Sequence, residues 1–216
     1  MLASGCGAPQ GEARPARDAG PSAPVPASGG DSIPSASPSP EPVVVARGDG
    51  RLTIVPGRGE RVGRGDLRTY AVEVEGGLGI DQGAFARAVE QTLADPRSWT
   101  AGGRRALQRV DTDADVRVAL ASPQTVDRLC APLRTNGRYS CANGDRAVLN
   151  TDRWMTGAAA YTGRLEEYRH YLVNHEVGHV LGFGHATCPA AGAVAPVMLQ
   201  QTIGLGGCLP GPWPHP

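Results

Sequence analysis

Lysine is missing from this chain: all 21 basic residues are arginine, balanced by 21 acidic ones for a formal net charge of zero. That balance gives no sign of a nucleic-acid binder. The missing lysine, beside abundant Ala, Gly and Pro, matches a GC-rich coding bias and carries little chemical information. No apolar run approaches the roughly 18 residues that a membrane span needs. No internal repeat is visible, and no C-x-x-C spacing occurs. Histidine is scarce, at five residues. The length, 216 residues, allows one ordinary domain and a tail.

The tail comes first. Residues 7–42 carry nine of the nineteen prolines and almost no large apolar side chain. Such a segment buries too little surface to offset its ordering entropy, so residues 1–42 are expected to form a disordered tether. Near its start, "LASGCG" resembles the lipobox of bacterial lipoproteins, which implies lipidation of Cys6 and a membrane tether. Ala3 stands where that motif usually has leucine. The charged and apolar regions of a signal peptide are missing ahead of it, so the natural start is expected upstream of Met1.

Cys6 leaves four other cysteines, placed as two near pairs: Cys130 with Cys141, and Cys188 with Cys208. Three connectivities are open to four cysteines. Disulfides would fit an oxidising, extracytoplasmic location. A zinc held by all four is the alternative, disfavoured by their spacing.

From Val43 onward the pattern predicts a folded α+β domain, 43–216. "VVVARG" and "LTIVPG" read as short leading strands, and "RTYAVEVEGG" (68–77) alternates at period two. Asp81 is placed to cap a helix with Phe85, Ala88, Val89 and Leu93 on one side. Strands are expected at 106–110, 115–122 and 147–150, with a helical turn at 124–129. "AVLN" (147–150) is the candidate edge strand for pairing with an extended peptide. A long helix is expected from Arg164, capped by Thr162, with Glu166 and Glu167 at its positive end.

That helix carries the most informative stretch, "HEVGHVLGFGH", 175–185. Four residues apart, His175 and His179 lie on one helical face, with Val173, Val177 and Val180 roughly opposite. Gly182 is where the helix can end in the left-handed conformation, and Gly184 adds a second permissive point. The chain can then return so that His185 faces the same point in space. Three imidazoles can hold a zinc ion and leave one tetrahedral position open for water, the catalytic pattern rather than the structural one. Glu176 would sit beside that water as general base. Five fixed residues at this spacing arise by chance on the order of once in 10⁵ chains of this length. The bland reading is a helix end with solvated histidines.

His175, Glu176, His179, Gly182 and His185 match the long zinc-binding motif of the metzincin metallopeptidases, which this chain resembles over about 164–200. The resemblance implies a twisted mixed sheet, an active-site helix ending at the glycine, and a methionine turn beneath the metal, for which Met198 in "APVMLQQ" is the candidate. More broadly the chain is similar to secreted metzincin-like domains of actinobacteria, in which a Pro-rich tether precedes one such domain. The activity implied is zinc-dependent hydrolysis of peptide bonds outside the cytoplasm, with a peptide or protein as substrate and the chain acting as a monomer. The alternatives are a tethered binding module whose zinc only stabilises the fold, and an amidase of cell-wall peptides. The residue after the third histidine is Ala186, and no tyrosine follows Met198, so the subfamily stays open. Trp154 is expected in the core, with the cleft as its alternative. His170 is expected to face away from the metal, and His215 to be solvated.

Overall fold

Period-two alternation makes β3, Asp66–Glu75, the longest strand. Tyr70, Val72 and Val74 enter the main core on one face, leaving Ala71, Glu73 and Glu75 on the other. A computed structural model describes residues 43–216 of the chain. The expected tether and Cys6 lie outside the described residues.

Around β3 the sheet has seven strands: β1 (Leu52–Ile54), β2 (Val62–Gly63), β3, β4 (Arg105–Arg109), β5 (Val116–Ala121), β6 (Cys141–Asn143) and β7 (Arg146–Asn150). Their order is β2-β4-β3-β5-β7-β6, with β1 also paired to β3. β4, β3, β5 and β7 run parallel, whereas β1, β2 and β6 are antiparallel to their neighbours. The sheet is therefore mixed.

The helices divide between the faces. α1 (Gln82–Ala94) and α4 (Leu165–Val180) cover the face that carries Val72, Val118, Leu120 and Leu149. α2 (Pro123–Cys130) packs on the other face with Ala121, Val148 and Cys141. α3 (Thr151–Thr156) links β7 to α4. The Asp81 side chain accepts a hydrogen bond from Ala84 N at 2.9 Å and caps α1 as expected. Sheet, helices and an apolar cluster on each face of the sheet make an α+β domain.

On the α2 face, buried Glu75 ties three segments together. Its carboxylate accepts from Ser122 N (2.6 Å), Thr125 Oγ1 (2.8 Å) and Gly50 N (2.9 Å). Burial opposes its charge, but these donors outweigh burial and hold the carboxyl below its usual range.

Three expectations need correction. "VVVARG" forms no strand: Ala46 uses its carbonyl to accept from Gln124 N at 3.3 Å, which draws this segment to the start of α2 instead of the sheet. β7 is not an edge, since β5 flanks it on one side and β6 on the other. The edge strand on that side of the sheet is β6. Nor does Thr162 cap α4. Its hydroxyl donates to Ala159 O at 2.9 Å in a preceding 3-10 turn, and the N-cap is Arg164.

Candidate metal centre

The second half of α4 is buried nearly all round. Every residue from Tyr171 to Gly178 is buried, His175 on the cleft side included, while His179 is only partly buried. The reason lies in the loop at 196–201, which closes over the histidine side. His175 Nδ1 bonds to Val197 O at 2.8 Å, and Tyr171 Oη donates to Leu199 O at 3.1 Å. Val173 and Val177 pack in the core as expected, and Val180 is partly buried.

The helix ends at Gly182, with φ +94°. Gly182 N donates to His179 O (3.0 Å) and Phe183 N to Gly178 O (2.9 Å), the paired bonds of a glycine-terminated helix. This reversal swings His185 back toward α4. His175 Nε2 lies 3.2 Å from His179 Nε2, which lies 3.0 Å from His185 Nε2. All three nitrogens fall within 4.8 Å of one another, close enough to hold a metal ion. In a tetrahedral site with metal–nitrogen bonds of about 2.0–2.1 Å, such nitrogens would be about 3.3 Å apart.

Tautomers settle what this cluster suits. His175 Nδ1 faces the Val197 carbonyl and His179 Nδ1 faces the Phe183 carbonyl, each at 2.8 Å. A carbonyl only accepts, so both Nδ1 atoms carry a proton, and a neutral ring held this way presents its Nε2 lone pair to the common point. Lone pairs this close repel one another unless a cation lies between them. Burial, with help from His179 and His185, drops the His175 imidazole to about 4 against the pull of its Val197 bond. Burial also lowers His185. His175 is therefore neutral at pH 7, the form that ligates.

Glu176 follows directly and is 5% exposed. Burial pushes its carboxyl up to about 8, and a cation at the imidazoles would draw it down again. The three histidines and Glu176 share a cleft of about 540 Å³. One wall is the loop 133–144, and the other holds Gln200, Thr202 and Ile203.

Each wall is closed by a disulfide. Cys130–Cys141 spans the first and Cys188–Cys208 spans the loop of the second, which settles the connectivity and removes the four-cysteine metal site. Met198 is buried, and its carbonyl accepts from Ala186 N at 3.0 Å, which ties the residue after His185 to the loop. Trp154 belongs to the core, edge-on to Phe85 at 4.9 Å. His170 is turned away from the cluster, with its Nδ1 2.8 Å from Thr92 Oγ1. His215 is exposed.

Three supporting residues escaped the sequence reading. Gln201, fully buried, accepts from Tyr161 Oη (2.7 Å) and Gly211 N (3.0 Å) and donates to Gly211 O (2.7 Å), fastening the loop beneath the site. Tyr171 accepts from Gln201 N at 2.9 Å, with its ring 5.2 Å from that of His175. Gly178 lets this loop approach α4: a Cβ there would come within 2.5 Å of Met198 Sδ and of Trp99 Cζ2. A glycine inside a helix costs about 1 kcal/mol relative to alanine, so Gly178 was the one signal of close packing available in the sequence.

Residues 39–207 match the family described as Protein of unknown function (DUF3152). The chain belongs to that family. No curated protein and no solved structure matches it. The family match spans both walls of the cleft, the three histidines and Met198.

Proposed function

We propose that this DUF3152 chain is a zinc-dependent endopeptidase that works outside the cytoplasm on peptide or protein substrates. The observation that carries the reading is the convergence of three Nε2 atoms beside buried Glu176, inside an open cleft. His175, His179 and His185 would hold the zinc, the commonest ion for such a donor set. When bound, zinc supplies Lewis acidity, polarising a peptide carbonyl and lowering the pKa of an attacking water.

The chain's own residues do the rest. Glu176, an ionised carboxylate once a cation lies nearby, takes the proton of the attacking water and passes it to the leaving amine. The carbonyls of Val197 and Phe183 hold the His175 and His179 rings in the ligating tautomer. Tyr171 and Gln201 fix the loop under the rings, and Met198 offers an apolar floor of the metzincin kind. β6, at the sheet edge and lining the cleft through Cys141 and Ala142, presents backbone with which an extended peptide can pair. The two disulfides suit a place outside the cytoplasm.

Cleavage of an unbiased peptide library tests this. Zinc-loaded protein should cut it, and Glu176→Gln should keep its zinc while the rate falls about 10³-fold. A zinc-loaded wild type that cuts no peptide would overturn the reading in favour of a zinc-stabilised binding module. A Glu176→Gln protein that cuts as fast would remove Glu176 as the base.

A further inference from the structure

The cleft is almost free of fixed charge. Among its lining residues Arg134 is the only arginine and Glu176 the only carboxylate. Arg134 is exposed and makes no ion pair among the described residues. Its neighbour Leu133 is 58% exposed, and Ile203 on the other wall is 64% exposed. Large apolar side chains this open, lining the same cleft, are positioned to be covered by something bound there.

The backbone beneath Arg134 is fixed on both sides. Leu133 N donates to Cys130 O at 2.9 Å, and the Thr135 hydroxyl donates to Asp127. Gly137 N also donates to Asp127 (2.8 Å), and Asn150 Nδ2 donates to Gly137 O (3.1 Å). The Cys130–Cys141 disulfide closes the loop around them. The guanidinium thus projects from a pre-ordered support, so binding through it pays little backbone ordering entropy.

We infer that Arg134 selects peptides carrying a carboxylate, with a large apolar side chain beside it to cover Leu133 and Ile203. A guanidinium fork matches a carboxylate with two parallel hydrogen bonds, which a neutral amide cannot replace. The inference rests on reading the cleft as a peptide site. It concerns which peptides enter, and stands apart from whether they are cleaved.

The test uses zinc-loaded Glu176→Gln protein, which should hold peptides without cutting them, and a positional-scanning library of C-terminally amidated short peptides. Asp and Glu should be enriched at one position, next to a large apolar residue. A matched Glu peptide should bind about tenfold more tightly than its Gln counterpart, and this preference should shrink as salt is raised. Arg134→Gln should abolish the preference and Arg134→Glu should reverse it; at an exposed position both should fold. Repeating the assay with free C-termini separates the two carboxylate sources, since a terminal carboxylate that restores binding to the Gln peptide, and no longer does so in Arg134→Gln, shows that Arg134 reads chain ends as well. Equal binding of the Glu and Gln peptides, or a preference that survives Arg134→Gln, overturns the inference. A carboxylate preference in binding, together with a wild type that cuts nothing, would leave Arg134 as a selector and remove the peptidase reading instead.

Discussion

The floor of the cleft is a helix end held by burial and hydrogen bonds, whereas each of its walls is a loop held by a covalent cross-link. His175 and Glu176 sit on α4 among Tyr168, Tyr171, Leu172 and Val177, with no cysteine nearby in sequence. The walls are mostly loop, apart from short β6, and contribute much less to the main core. Loops with so little packing would fray in isolation, and cross-links limit the conformations open to them. The two walls also differ. The 130–141 loop has no bond to the histidine cluster, while the 188–208 loop holds Val197 O against His175 Nδ1 and Met198 O against Ala186 N. One wall should therefore shape the substrate space alone, and the other should shape the metal site as well.

Cysteine substitutions separate these roles. Replacing either pair with alanine should cost about 3 kcal/mol of stability by the loop-closure argument, read as a shift in the denaturant midpoint. Cys188→Ala with Cys208→Ala should also weaken zinc binding severalfold in a competition titration with a chelator. Cys130→Ala with Cys141→Ala should leave zinc affinity unchanged and raise KM. Equal effects of both pairs on zinc affinity would erase the distinction between the walls.

A smaller effect probes the floor itself. Gly182→Ala places a side chain at φ +94°, a conformation that costs alanine about 1 kcal/mol. Because that turn aims His185, zinc affinity should fall by more than the small stability loss accounts for. Intact zinc affinity in Gly182→Ala would mean that the 188–208 loop, and not the helix end, positions His185.

The floor was legible in the sequence because a helix turns local spacing into direction. His175 and His179 fall on one face by periodicity alone, and Gly182 announces where the chain can reverse. Both disulfides were visible as near pairs, though composition could not choose their connectivity. What stayed hidden depends on contacts between distant segments. β6 is only three residues long and exists through pairing with β7, so "AVLN" looked like an edge. Thr162 had the right chemistry for a cap, but a preceding 3-10 turn engaged its hydroxyl first. Burial of the histidine side comes from Gln201 and Tyr171, whose bonds span 30 residues and which no local pattern marks.

X-ray absorption at the zinc edge of the zinc-loaded chain, compared with His179→Ala, tests the floor most directly. One zinc per chain should show three imidazole nitrogens at about 2.0–2.1 Å plus one oxygen at a similar distance, and His179→Ala should lose stoichiometric zinc. A sulfur ligand, fewer than three imidazoles, or undiminished zinc in His179→Ala would contradict the three-histidine centre.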